Sequence, residues 1–320
     1  MQRHIFPPYI LAAMILTSVL PAAQAQALTG CNSGEILARF EGFGKTGIMP
    51  ADLGKWLGDP QAQTIEPYKA FDNVWYVGVC WVSAWAVRTS DGVVLIDTLH
   101  DPLTGILLDN LKKAGVQSSE IKYVLMTHGH LDHAGGAYKV KPLTNARFAM
   151  TQRGWDEGAA SSKLSQATPR AWTMIPQDLV LKDGDSVKVG NSTFTLYETP
   201  GHTFGTASYS FTVRDGANSY RAFTVGGLGL NAIQSSKQVE DFIASVKRIE
   251  QMVRDPADPI AVHLTTHPFS NGLTEAKDRI PGRKPGDPHP LVDPQGFLKQ
   301  LEALRLGAEE LLVIERKAGR

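Results

Sequence analysis

His128-Gly129-His130-Leu131-Asp132-His133 places four metal-ligand side chains within six residues. The run follows Ile121 to Thr127, an apolar stretch of the buried-strand type. On an extended strand end, alternation lets the imidazoles of His128 and His130 face the same way across Gly129, while Asp132 and His133 fall on the turn beyond. Zinc accepts imidazole nitrogen and carboxylate oxygen at about 2 Å and, in catalytic sites, keeps one position for water. A single histidine is most often a solvated or core residue, but four ligands at this spacing are not explained that way. Adjacent ligands on the turn can diverge toward a second ion a few ångströms away, as two-metal hydrolysis requires.

Two further histidines follow strand-like segments: His202 in Thr199-Pro200-Gly201-His202-Thr203, and His267 in Leu264-Thr265-Thr266-His267-Pro268. Each alone is evenly balanced between ligand and polar loop residue, and together with the central run they supply the missing ligands. His100 and His263 read as packing or loop residues. Around these points, β-rich runs at Val74 to Cys80, Val82 to Arg88 and Val93 to Ile96 suggest a meander, and Leu103 to Ala114 has helical spacing ended by Gly115. Later strands are expected at Arg147 to Met150, Ser186 to Val189, Thr193 to Thr199, Ala207 to Val213, Ser219 to Val225 and Ile260 to Thr265, with helices at Gln238 to Val253 and Pro294 to Glu315. Strands first, with helices interspersed and packed outside, indicate an α/β chain of two sheets between helical layers. Residues 73–320 read as one domain after a loop-rich lead, residues 26–72, and Gly158 to Gln177 reads as a mobile loop without periodicity.

The composition is that of an ordinary globular protein: 42% hydrophobic and 20% charged residues in 320. Lys plus Arg and Asp plus Glu number 32 each, so no global positive field exists to recruit nucleic acid, and no protein partner is implied. The N-terminus has a charged start, a short apolar run from Ile10 to Leu20 and Ala-x-Ala sites at Ala23-Gln24-Ala25 and Ala25-Gln26-Ala27, the three parts of a secretory signal over residues 1–25. A periplasmic or secreted protein is expected. Leu28-Thr29-Gly30-Cys31 resembles a lipobox, which leaves acylation of Cys31 as the minority reading. An oxidising compartment permits, but does not require, a bond between Cys31 and Cys80, the two cysteines of the chain.

With these motifs assembled, the sequence resembles the metallo-β-lactamase superfamily, and most of all its subclass B3. The similarity runs from about Asp52 to the C-terminus and includes Asn73-Val74-Trp75-Tyr76-Val77-Gly78, Val94-Leu95-Ile96-Asp97, the central run with Ala134-Gly135-Gly136, Lys182-Asp183-Gly184-Asp185 and Pro290-Leu291-Val292-Asp293-Pro294. The resemblance implies an αββα sandwich and two Zn2+ per chain. His128, His130 and His202 would bind the first zinc; Asp132, His133 and His267 would bind the second; Asp97 would orient a ligand from outside the coordination shell. The implied reaction is opening of a β-lactam amide by a zinc-bridged hydroxide, with Asp132 as the catalytic side chain and antibiotic resistance as the consequence. A lactone or other ester on the same fold is the alternative, and a non-catalytic periplasmic metal-binding protein is the reading from another class. Phe223-Thr224-Val225-Gly226-Gly227-Leu228-Gly229 departs from many relatives by lacking a bridging Asp or a Cys ligand, which disfavours glyoxalase-type thioesters, and Gly227 and Gly229 stand where serines would hold a β-lactam carboxylate.

Overall fold

The computed structural model describes residues 28, 30–46, 49–284, 286–317 and 319. The expected signal segment lies outside the described residues. Alternating side chains divide the apolar residues of each strand between two faces, and this dictates the layers. Seven strands form one sheet in chain order: β1 (Tyr68–Phe71), β2 (Val74–Tyr76), β3 (Trp85–Thr89), β4 (Gly92–Ile96), β5 (Ile121–Leu125), β6 (Arg147–Met150) and β7 (Leu179–Val180). It is antiparallel from β1 to β4 and parallel from β4 to β7. The second sheet holds β8 (Ser186–Val189), β9 (Ser192–Glu198), β10 (Ala207–Asp215), β11 (Asn218–Thr224) and β12 (Ile260–His263), in spatial order β12-β11-β10-β9-β8.

Trp85 and Val87 on β3, with Val94 and Ile96 on β4, face Phe194, Leu196, Tyr209 and Phe211 of the other sheet in one core. Ala86, Val93 and Leu95, the alternate residues, face outward in a second core with Leu107, Leu111 and Trp155. A third core covers the far side of the second sheet, where Phe223 and Ile260 meet Phe242, Val246, Phe297 and Leu301. Three apolar layers thus separate four structural ones, the αββα sandwich. The outer helices are α4 (Thr104–Lys113) and α7 (Gln152–Ser165) on one side, with α8 (Ser236–Val253) and α10 (Pro294–Lys317) on the other. Short helices α5 (Leu131–Ala134) and α6 (Ala137–Val140) follow β5, and α9 (Leu273–Lys277) follows β12.

Two expectations are corrected. The lead is not loop-rich: α1 (Ser33–Thr46), α2 (Ala51–Leu57) and α3 (Pro60–Gln63) bury Ile36, Leu53 and Trp56 in the inter-sheet core, and β1 begins the first sheet at Tyr68. Asp59 caps α3 with its carboxylate, a start signal readable in Asp59-Pro60. The stretch after Gly158 begins as helix, because α7 runs on to Ser165 from its Thr151 cap. The remaining loop is pinned: Ser162 Oγ donates to Trp172 O and accepts from Met174 N, and Trp172 is buried. Helix α7 offers few apolar residues because three glycines rather than a side-chain stripe mediate its packing. A Cβ on Gly129 would meet Gly158 N at 2.4 Å and Gly154 O at 2.6 Å, so only bare backbone lets α7 lie against the turn that carries His128 and His130. No helix among the described residues is long and apolar enough to cross a membrane.

Candidate metal centre

The seven-residue path from Thr127 to His133 turns the end of β5 into the N-terminus of α5, with His130 in extended backbone just before the helix. His202 arrives from the β9–β10 loop, where Gly201 has φ +138° and a Cβ would meet Phe242 Cα at 2.4 Å, so glycine is required for the loop to rest on α8. His267 follows β12. The six side chains form two sets, His128/His130/His202 and Asp132/His133/His267, and within each set the ligand atoms lie within 4.8 Å of one another.

In the first set His128 Nε2 and His202 Nε2 each stand 3.1 Å from His130 Nδ1. Nitrogens bound tetrahedrally to one ion at 2.0–2.1 Å stand roughly 3.3 Å apart, so this spacing fits a shared metal. In the second set Asp132 Oδ2 lies 3.2 Å from His133 Nε2 and 3.8 Å from His267 Nε2.

Hydrogen bonding at the far ring nitrogens fixes which nitrogen is free. His202 Nδ1–H donates to Gly229 O at 2.6 Å, and His267 Nδ1–H to Trp81 O at 2.7 Å. His133 Nδ1–H donates to Asp97 Oδ2 at 2.8 Å. The Thr127 hydroxyl also gives its one proton to Asp97 Oδ2, at 2.9 Å, so its lone pair must accept from His128 Nδ1–H at 3.1 Å. The Nε2 lone pairs of His128, His202 and His267 are thereby aimed inward, as metal-bound imidazoles need, and His133 presents its Nε2 beside Asp132, where a metal would replace its proton. Asp97 is the hub: it supports the second set directly and the first through Thr127, whose amide it also accepts at 2.8 Å. It sits at φ +60°, an uncommon backbone for a residue with a Cβ, held at the end of β4 where Thr98 N and Oγ1 both donate to His133 O.

Charge distribution favours the same use. Burial, reinforced by His130, holds His202 down to about 3, and burial together with His133 holds His267 at about 4, so both are neutral ligands at pH 7. Burial likewise lowers His128 and His130. Burial opposes charge on His133 and on Asp132 as well, but each is the other's counter-ion. With Asp97 added, His133 rises to about 10, while Asp132 is held well below the usual carboxylate range. A divalent cation offers Asp132 the same compensation that His133 provides. The donor chemistry and spacing fit two metal ions.

All seven residues singled out from sequence are brought together here, Asp97 included. His263 is apart, stacked on Phe297 with centroids 4.2 Å apart and bonded to Gln300 Oε1 at 3.0 Å. Sequence reading missed Thr127, the Trp81 carbonyl and the Gly229 carbonyl, because backbone acceptors leave no residue-type signal. His100, as expected, is a buried loop residue in neither ligand set, and it lines a cleft of about 740 Å³ whose walls include Trp81, Asp132 and Trp172. Gly227 needs correction. It is more than a position without a hydroxyl, for a Cβ there would meet His202 Cβ at 2.5 Å and its ring carbons at 2.6 Å.

Residues 77–216 match the family profile of the metallo-beta-lactamase superfamily. Residues 77–216 thus carry a metallo-beta-lactamase domain, and the fold and the two ligand sets are those of a metallo-hydrolase. Among solved structures it is similar to BJP-1, a subclass B3 metallo-beta-lactamase of Bradyrhizobium japonicum, with TM-score 0.70 and 27% identity over 81% of this chain and 97% of that one. It shares the fold of native FEZ-1 metallo-beta-lactamase from Legionella gormanii, with TM-score 0.71, 24% identity and coverage of 79% and 98%. In sequence it also resembles a hydroxyacylglutathione hydrolase of Methylobacterium nodulans, 34% identical over 124 residues, or 35% of this chain. A hydroxyacylglutathione hydrolase of Cereibacter sphaeroides is 36% identical over 110 residues, or 34% of this chain. The chain spans only 41% and 36% of the lengths of those two relatives.

Proposed function

We propose that this protein is an exported hydrolase that binds two zinc ions and opens the amide of β-lactam rings. The observation that carries the reading is the pair of three-ligand sets with, among the described residues, no second carboxylate bridging them: the Gly226 to Gly229 stretch beside His202 contributes a backbone carbonyl, not a side-chain ligand. That arrangement agrees with the near full-length similarity to a subclass B3 enzyme. His128, His130 and His202 would hold one zinc, and Asp132, His133 and His267 the other. Bound zinc would polarise the scissile carbonyl and bring the acidity of a coordinated water toward neutrality. Asp132, kept ionised by its neighbours, would be both ligand and the acceptor that orients the attacking water. Asp97 would keep His133 in the Nδ1–H tautomer and, through Thr127, His128 as well.

A second reading is favoured by the sequence relatives: hydrolysis of a thioester, lactone or other ester on the same centre. A panel of penicillins, cephalosporins, carbapenems, acyl-lactones and a hydroxyacylglutathione, run on zinc-loaded protein, separates the readings. Turnover of β-lactams alone supports the first, and turnover of thioester or lactone alone replaces it. No metal-dependent turnover of any would favour a metal-binding protein without catalysis.

Export is supported by the disulfide between Cys31 and Cys80, which is more persistent in an oxidising compartment. It also opposes the lipoprotein reading, because a sulfur engaged in a disulfide is not available for a thioether. The test is the intact mass of the secreted protein, expected to begin near Gln26 or Leu28; a diacylated Cys31 would overturn it.

A further inference from the structure

Arg170 is the one arginine or lysine that lines the cleft beside Asp132. Its guanidinium has no hydrogen-bond or ion-pair partner among the described residues, and its backbone is held, with Arg170 N donating to Thr168 Oγ1 at 3.2 Å and Thr168 N to Ser165 O at 2.8 Å. Trp172, two residues on, is buried and anchors the same loop through Ser162 and Gln166. The acids of the cleft are committed: Asp101 binds Lys139 at 2.7 Å and the Tyr138 hydroxyl, and Asp132 belongs to the second ligand set. Trp81, Leu57 and Pro102 add apolar wall. An exposed, uncommitted cation on a loop anchored at Trp172, beside a cleft with Trp81, Leu57 and Pro102 in its wall, is suited to one anionic group on a partly apolar molecule.

We propose that Arg170 anchors a substrate carboxylate, and that the cleft selects amides or lactones carrying one carboxylate and an apolar or aromatic substituent. This rests on the hydrolase reading and deepens it. Arg170 would supply the anion contact that Gly227 and Gly229 lack the hydroxyls to make. A glutathione thioester fits less well, since it carries two carboxylates and an ammonium group, while the cleft offers one free cation and no free acid.

The test compares wild type, Arg170→Ala and Arg170→Lys, all zinc-loaded, on matched charged and neutral compounds. One readout is KM and kcat for benzylpenicillin and for its methyl ester. The other, independent of turnover, is binding of phenylacetate and phenylacetamide followed by tryptophan fluorescence. A hydrogen bond to a charged group corresponds to roughly a tenfold to hundredfold change in affinity. Arg170→Ala is expected to raise KM and Kd for the anionic member by about that factor. The neutral member and kcat should be unchanged, and Arg170→Lys should restore part of the loss. Equal effects on charged and neutral members, or no effect on either, would overturn the proposal. If wild type hydrolysed no β-lactam, the β-lactam reading would fall while the binding comparison still decided the role of Arg170.

Discussion

Asp97→Asn tests how the two ligand sets are coupled. Asp97 receives three hydrogen bonds: Thr127 N at 2.8 Å, Thr127 Oγ1 at 2.9 Å and His133 Nδ1 at 2.8 Å. Asparagine keeps the shape and tolerates the φ of +60° better than most residues, so the change adds little backbone strain. It removes the charge and replaces one acceptor by a donor. Whichever way the amide turns, a buried N–H is opposed. The Thr127 amide is fixed by the backbone, so the amide oxygen stays with it and the His133 contact is lost. Thr127 Oγ1 can then accept from the new amide and still accept from His128, leaving the first set supported. Losing a hydrogen bond to a charged acceptor costs about 1.5–3 kcal/mol, which is roughly a tenfold to hundredfold loss of metal affinity at the second set. The first set should change by less than about threefold. Zinc titration of metal-free protein against a competing chelator resolves the two constants, with circular dichroism confirming the fold. Two unchanged constants, or a first site weakened more than the second, would refute the coupling.

Other outcomes follow from the same geometry. Gly227→Ser, by driving a Cβ into the His202 ring, should weaken zinc at the first set at least tenfold, measured in the same titration; unchanged zinc binding would show that His202 is not seated on Gly227. Asp132→Ala should abolish turnover, while His263→Ala, which disturbs only packing on Phe297 and the Gln300 bond, should leave kcat nearly intact and lower stability. In the metal-free protein the folded-state values of His202 and His263, both about 3, lie below the unfolded value of 6.5. Folding therefore excludes two protons that the unfolded chain takes up. The contribution of these two groups is complete above pH 6.5 and falls as pH drops toward 3, by about 1.4 kcal/mol per pH unit for each histidine, whereas His133, raised to about 10, contributes stability that is lost only as pH rises from 6.5 through 10. Urea unfolding between pH 7 and 5 reads this, and a flat profile would contradict it. Cys31→Ser opens a loop spanning 49 residues and should cost about 2–4 kcal/mol of stability, seen as a lower urea midpoint.

The parts legible in sequence were those written in residue type and spacing. Apolar, β-rich runs mark β3, β4, β5 and β10, and the sets at His128 to His133, His202 and His267 can be read because ligand chemistry resides in side chains. What escaped was written in backbone. Trp81 O and Gly229 O hold two ring nitrogens, yet any residue has a carbonyl. Part of helix α7 reads as loop because Gly129, Gly154 and Gly158 pack by the absence of side chains, which leaves no hydrophobic period. The lead reads as loop because α2 and α3 are short and the three helices are anchored by a few scattered residues, Ile36, Leu53 and Trp56, rather than by a sustained stripe.

The central claim, a two-zinc hydrolase acting on β-lactams, is tested most directly by adding zinc stepwise to metal-free protein and following hydrolysis of a chromogenic cephalosporin at each step. The account predicts no hydrolysis without metal and a rate that rises until two equivalents per chain are present, then levels. A rate complete at one equivalent would contradict the two-metal centre, and no hydrolysis at any zinc content would contradict the proposed reaction.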